Sequence, residues 1–305
     1  MKAIRIHEYG DATTLRLEEI QPLVAGDNQL LVRVRDAGVN PIDWKIRQGY
    51  FRRVIPVKFP LTIGQDFAGE VVAPRTGIHD FATGDRVFGF ADGTYAEYAT
   101  APASTLALIP ISMDFATAAS IPTAGSVALQ VIRDAAGARP GMTILIHGAA
   151  GGVGSYASQI AQKLGARVIG TASGADIDYL KSIGIAEVID YQLEHFQERV
   201  RGVDAVVDLV GGETLARSYS VVKKGGLLAS TVGPIDQSVA SRAGIRALLV
   251  MMKRSASDLA ELARLVQQGA VKPRLALTLD LSQAQQAQEL SETGKAQGKV
   301  ILKVA

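Results

Sequence analysis

The hydrophobic pattern changes character once along the chain. In the first third, alternating or apolar runs such as LLVRVRDAGV, FAGEVVA, DRVFGF and TYAEYATA are separated by Gly, Pro and Asp in stretches such as PLTIGQD and TGD. Period-two alternation broken by turn residues predicts a mainly β region. After about Asp114 the texture becomes Ala-rich and helical. From Thr143 apolar runs take turns with amphipathic segments: TILIH, VGSYASQIAQKLG, RVIGT, DIDYLKSIG, EVID, VDAVVDLV and GLLAST. Continuously apolar strands separated by helices predict a parallel sheet covered on both faces, so the expected fold class is α/β. The segment 255–268, SASDLAELARLVQQ, predicts a helix capped by Ser255 and stopped by Gly269. The tail RLALTLDL, SQAQQAQELSETG, KVILKV reads as strand, helix, strand.

One junction in this pattern carries chemistry. TILIHGAAGGVGSYA runs from a buried strand through a glycine-rich turn into a helix, with Gly148, Gly151 and Gly154 at GxxGxxG spacing and Gly152 added. Glycines there allow a tight turn and let backbone N–H groups approach a pyrophosphate, while the helix N-terminus supplies free donors and partial positive charge. The loop residues Gly148, Ala150, Gly151, Gly152, Val153 and Gly154 are therefore candidate dinucleotide contacts. Beyond them Val153, Tyr156, Ala157, Ile160, Ala161 and Leu164 recur at helical spacing, which predicts a face packed on the sheet. A mononucleotide P-loop is disfavoured, because no lysine precedes Ser155.

The end of the second strand of such a fold distinguishes cofactors, since a carboxylate there holds an adenosine ribose 2′-OH. Here it reads VIGTAS, ending in the small neutral residues Thr171, Ala172 and Ser173. This favours NADPH over NADH, with Ser173 and Tyr191 as candidate contacts to a 2′-phosphate; Ser173 also suits a helix N-cap.

Composition narrows the classes further. The 305 residues carry a formal charge of +2 and no cysteine. Disulfides, thiolate nucleophiles and Cys-based metal sites are excluded. Interspersed charges give no footprint for nucleic acid or an anionic membrane. The nearest candidate for a membrane span, IRALLVMM at 245–252, is far too short to cross a bilayer, and the N-terminus lacks a signal core, so a cytoplasmic location is expected.

The run HGAAGGVGSYASQIAQKLGARVIGTAS, together with GVNPIDWKIRQG, IGQDFAGEV, IPTAGSVALQ, VDLVGG and GKVILKV, resembles the medium-chain dehydrogenase/reductase superfamily, and within it the zinc-independent quinone oxidoreductase branch. The resemblance covers nearly the whole chain. It implies a GroES-like β domain built from residues 1–118 and 270–305 around a Rossmann NADP-binding domain of 119–269. A homodimer through the edge of the Rossmann sheet is common in the family. Zinc-dependent members carry Cys where this chain has Asn40, and Gly-His-Glu where it has Gly64, Gln65 and Asp66. The four histidines are scattered, so no metal site is expected.

Without a metal, a nicotinamide can deliver hydride to an acceptor that is already electrophilic, such as a quinone or an α,β-unsaturated carbonyl. The charge that develops on the carbonyl oxygen then needs a hydrogen-bond donor. The resemblance implies that Asn40 and Asp43 lie near substrate and nicotinamide, Asn40 as a polar contact and Asp43 as an orienting or proton-relaying group. Asn40-Pro41 also suits a turn, and Asp43 a helix N-cap. The resemblance places Thr123 beside the nicotinamide ribose or carboxamide, although Pro-Thr at a helix entry is also ordinary capping. Tyr50 is a candidate donor to a substrate carbonyl, whereas Tyr95 reads as packing in an alternating strand and Trp44 as core or cleft wall. Gly211 in DLVGG and Gly233 in STVGP follow strands of the parallel sheet, where loops line the cofactor crevice. Lys299 reads as a solvated lysine. The expected activity is hydride transfer from NADPH to a small-molecule quinone. Reduction of the enone C=C bond and a non-catalytic NADPH-binding sensor or scaffold are the alternatives.

Overall fold

The computed structural model describes residues 1–54, 56–74, 78–294 and 296–305. They form two compact units, 1–123 with 254–267 and 273–305, and 124–253 with 268–272.

In the first unit the strands are β1 (Lys2–Ile6), β2 (Arg16–Glu19), β3 (Gln29–Val39), β4 (Leu61–Thr62), β5 (Asp66–Pro74), β6 (Arg86–Phe90), β7 (Tyr98–Pro102) and β8 (Leu106–Leu108). They realise the alternating runs of the N-terminal third. Helix α1 (Pro41–Arg47) follows β3 directly. Helix α2 (Phe115–Ala119) starts where the texture changes, with the Asp114 carboxylate accepting from the Thr117 N–H at 2.7 Å.

The second unit begins within α3 (Pro122–Leu129) and continues as a regular alternation of strand and helix. Its strands are β9 (Thr143–His147), β10 (Arg167–Ala172), β11 (Glu187–Asp190), β12 (Val203–Asp208), β13 (Val222–Ser230) and β14 (Arg246–Leu249). Between them run α4 (Gly152–Lys163), α5 (Ile177–Ser182), α6 (Phe196–Arg199), α7 (Gly212–Ser218) and α8 (Gln237–Ala243). Every ladder is parallel, in the order β11-β10-β9-β12-β13-β14. This is the dinucleotide-binding strand order, which reverses between β9 and β12. Leu145, Ile169, Val206 and Leu228 fill its core. The segment 245–252 contains the edge strand β14, and among the described residues no helix is long and apolar enough to cross a membrane.

The chain then returns to the first unit. Helix α9 (Ala256–Gln267) has the Ser255 hydroxyl accepting from the Asp258 N–H, and Gly269 follows in the left-handed region at φ +69°. By its contacts α9 packs with the first unit against β8, whereas the chain pattern had run it on with the parallel sheet. Strand β15 (Leu275–Asp280), helix α10 (Ala284–Glu292) and strand β16 (Lys299–Lys303) close the chain. β15 and β16, parallel to each other, join an otherwise antiparallel sheet in the order β15-β16-β3-β5-β6-β8, with β7 also on β3. A GroES-like β-rich domain and a Rossmann domain are thus both present. The fully buried Arg47 of α1 fastens α10 by donating to Gln288, Glu292 and the Gly10 carbonyl.

Candidate functional site

Within the first unit, five elements bring polar side chains into one buried cluster. Asn40 follows β3 and is the N-cap of α1, with Pro41 in the first turn, where a missing N–H costs nothing. Asp43 is therefore the third helical residue rather than the N-cap expected of it. Its Oδ2 accepts from the Asn40 backbone N–H at 2.8 Å and from the Tyr95 hydroxyl at 2.9 Å. Both Asp43 and Tyr95 are buried. Tyr95 is thus more than packing. Its ring fits because residue 64 is glycine at φ +103°, where a Cβ would stand 2.3 Å from the ring.

Lys299 overturns the expectation of a solvated lysine, being only 4 % exposed. Its ammonium donates to Asn40 Oδ1 at 2.5 Å and to the Val39 carbonyl at 3.0 Å, and lies 3.8 Å from Asp66 Oδ2. Asp66 in turn accepts from the backbone N–H of Thr123 at 3.0 Å and from its hydroxyl at 2.5 Å, capping α3 from β5. The Thr123 hydroxyl is therefore held by a carboxylate. Burial pushes the Asp43 carboxyl up to about 7, with the charge of Asp66 adding and the Asn40 and Tyr95 donors opposing. Burial also pushes the Lys299 ammonium below the usual lysine range, against the pull of Asp66 and Asp43. Asn40 Nδ2 and Asp43 Oδ1 are buried without a hydrogen-bond partner among the described residues. Tyr50 is not brought to this cluster; it is 67 % exposed and stands edge-on to Trp44 with centroids 5.7 Å apart.

A zinc ion needs three or four imidazole, thiolate or carboxylate donors. Here Asn40 Oδ1 faces an ammonium and Asp66 is engaged by Thr123 and Lys299, so the cluster does not fit a catalytic zinc. Among the described residues no group of three or more His, Asp or Glu is placed to hold a metal.

In the second unit, the loop 148–154 joins β9 to α4. A Cβ on Gly154 would lie 2.0 Å from the Gly148 carbonyl oxygen and 2.8 Å from Ala149 Cα, so only glycine fits. Gly151 is the α4 N-cap, Gly152 opens the helix and Val153 follows, half-buried. The Ala149 N–H bonds back to the Thr171 carbonyl of β10 and the Gly151 N–H to Gly148, while Ala150 is buried at the turn. This cradle fits a dinucleotide pyrophosphate on a helix N-terminus. Gly211, at φ +82°, donates its N–H to Asp208, and Gly233 lies close to it after β13.

The adenosine end differs from the sequence expectation. The Ser173 hydroxyl neither caps a helix nor stands free, but donates to Asp176 at 2.9 Å. The Asp190 carboxylate comes within 2.8 Å of where a Cβ on Gly174 would be, and Tyr191 beside it is exposed. Two carboxylates therefore approach a strand end that reads as neutral.

A further buried network was not read from the sequence. His147 Nε2 meets the Ser218 hydroxyl at 3.0 Å, and its Nδ1 meets the Thr171 hydroxyl at 3.1 Å. Ser218 donates its one proton to the Thr214 carbonyl at 2.6 Å, which assigns the imidazole proton to Nε2. Beside it Asp208 accepts from the N–H groups of Val210 and Gly211 and from the Ser230 hydroxyl. The alternation of the strands gave no signal for these contacts, which join the ends of β9, β10, β12 and β13 to helix α7 and the loop before it.

A GroES-like domain, a Rossmann domain whose glycine loop fits a pyrophosphate, and a polar cluster whose donors do not suit zinc define a two-domain oxidoreductase. Residues 26–111 match the model of the alcohol dehydrogenase GroES-like domain, and residues 183–302 match that of a zinc-binding dehydrogenase. A chloroplast envelope quinone oxidoreductase homolog of Arabidopsis thaliana is 31 % identical, over 99 % of this chain and 98 % of that protein. The quinone oxidoreductase of Coxiella burnetii superposes with a TM-score of 0.92 at 34 % identity, over 100 % of this chain and 99 % of that one. That of Escherichia coli, complexed with NADPH, gives 0.92 at 28 % identity, over 99 % and 100 %. The chain belongs to the medium-chain dehydrogenase/reductase superfamily, in its zinc-independent quinone oxidoreductase branch.

Proposed function

We propose that this chain transfers hydride from NADPH to a small-molecule quinone. The observation that carries the reading is the buried, partnerless Nδ2 group of Asn40 in a cluster that holds an ammonium where zinc-dependent relatives carry metal ligands. When bound, the reduced nicotinamide supplies the hydride. The glycine loop 148–154, with Gly211 and Gly233, holds the dinucleotide by its backbone. Asn40 donates to the carbonyl oxygen as negative charge grows there, which is the stabilisation this chemistry needs in place of a Lewis acid. Asp43, held by Tyr95 and the Asn40 N–H, orients α1 and stores a proton. Thr123 fixes Asp66 at the head of α3.

The neutral end of β10 and the NADPH complex of the Escherichia coli relative support NADPH as the reductant, with Ser173 and Tyr191 at the 2′-phosphate. Asp176 and Asp190 weigh toward NADH, so the ratio of the two cofactors is itself informative. A cytoplasmic homodimer completes the proposal.

The test is steady-state oxidation of NADPH and NADH, each with a simple quinone and a simple enone, in the presence of a metal chelator. Chelator-insensitive turnover that prefers NADPH and quinone is expected. Faster turnover of the enone reassigns the reaction to C=C reduction, which the same Asn40 donor serves. Saturable NADPH binding without turnover of either acceptor overturns the enzyme reading in favour of a sensor or scaffold.

A further inference from the structure

The Lys299 ammonium faces three oxygens: it donates hydrogen bonds to Val39 O at 3.0 Å and Asn40 Oδ1 at 2.5 Å, and pairs by charge with Asp66 Oδ2 at 3.8 Å. The lysine is therefore held by protein groups, and its shortest contact is the Asn40 amide oxygen. Its effect passes through Asn40. A carboxamide has one accepting and one donating end, and here the accepting end is pinned to a cation. Flipping the amide would set its NH2 group against the ammonium, a donor against a donor in a buried site, so one orientation is enforced. In that orientation Nδ2 is buried and meets no partner among the described residues. A cation on the carbonyl side also draws electron density from the nitrogen, which strengthens its N–H groups as donors.

We propose that Lys299 is a positioning residue for the reduction, orienting and polarising the Asn40 carboxamide so that its Nδ2–H group is presented to the acceptor carbonyl. The inference rests on the reading of Asn40 as the acceptor's donor. It adds that the cationic charge of the cluster reaches the reacting oxygen through the amide rather than by contact. Asp66 completes the arrangement. Held by both Thr123 donors, it keeps the ammonium in place without competing for Asn40.

The test is a double-mutant cycle on Lys299→Met and Asn40→Ala, reading kcat and KM for the quinone, NADPH binding by fluorescence, and the melting temperature. Alone, Lys299→Met is expected to lower kcat about tenfold to a hundredfold with NADPH binding unchanged. Lys299→Arg, which keeps the charge, is expected to recover part of that loss. In the Asn40→Ala background, Lys299→Met is expected to change kcat/KM by less than about twofold, since its only route is gone. An equal loss in both backgrounds, or no loss in the wild-type background, overturns the proposal while leaving the reductase reading standing. If removing the lysine alone melts the domain, the charge-neutral pair Lys299→Met with Asp66→Asn replaces it in the cycle.

A second measurement does not depend on turnover. The Asn40 side-chain amide protons, identified in a nitrogen–proton correlation spectrum by their disappearance in Asn40→Asp, are expected to move upfield in Lys299→Met. Unmoved resonances overturn the proposal even if no acceptor is ever reduced.

Discussion

The hydroxyl of Tyr95 donates to the carboxylate of Asp43 at 2.9 Å, and both side chains are buried. A carboxyl free in the unfolded chain titrates at 3.8, whereas burial pushes Asp43 up to about 7. Between those values the folded chain keeps a proton that the unfolded chain has lost. The contribution of Asp43 to stability is therefore fully present below about pH 4 and falls away as pH rises to about 7, with a slope of up to about 1.4 kcal/mol per pH unit. Hydrogen exchange of amides in α1 and β3 across this range, compared with Asp43→Asn, is expected to show that decline only in the wild type. Tyr95→Phe removes a donor that favours the carboxylate, so the decline should extend to higher pH. A difference curve flat from pH 4 to 8 would refute the assignment.

His147 gives the opposite sign in the other unit. Burial lowers its imidazole to about 4, against the pull of Asp208. The unfolded ring binds a proton near 6.5 that the folded ring refuses. Its contribution is present above about pH 6.5 and is lost as pH falls toward 4. Amide protection in β9 and β10 should fall with acid more steeply in the wild type than in His147→Gln, which keeps an N–H for Ser218. Parallel curves would count against a neutral buried histidine.

Gly154→Ala places a methyl group 2.0 Å from the Gly148 oxygen, against backbone that cannot give. The expected cost is about 2–3 kcal/mol, and the loop should lose at least about tenfold in dinucleotide affinity as the turn opens. At Gly151 the same methyl stands 3.3 Å from that oxygen at φ −70°, so Gly151→Ala should cost under about 1 kcal/mol. Thermal unfolding with and without NADPH checks both, and equal costs at the two positions would contradict the geometry.

The carboxylate of Asp176 accepts from Ser173, the residue proposed to meet a 2′-phosphate. Asp176→Asn removes a negative charge there and leaves only a neutral amide oxygen to accept from Ser173. The ratio of kcat/KM for NADPH over NADH is expected to rise about tenfold, a change of about 1.4 kcal/mol in discrimination. A ratio that does not move places the 2′-phosphate away from this corner.

Much of the Rossmann half was legible in the chain. TILIH, RVIGT, EVID and VDAVVD became strands, and the glycine spacing marked the tight turn into α4, because local periodicity and steric need at such a turn are properties of neighbouring residues. The first unit was legible in its strands but not in its chemistry. Asn40 and Asp43 stood out by resemblance, yet Tyr95 read as packing and Lys299 as a solvated side chain.

The hydrophobic pattern and glycine spacing by themselves determined the parallel sheet and the tight turn that opens α4, and the lack of cysteine excluded thiol chemistry. Only the tertiary structure decided that a charge sits in the buried cluster around Asn40. β16 pairs antiparallel with β3 in a register that sets Val300 opposite Val39, which brings Lys299 to Asn40 across 259 positions of sequence. A lysine heading an apolar strand looks the same in sequence whether its ammonium reaches water or a buried amide. Which it does is set by long-range strand register, and burial beside Asp66 then fixes its partner.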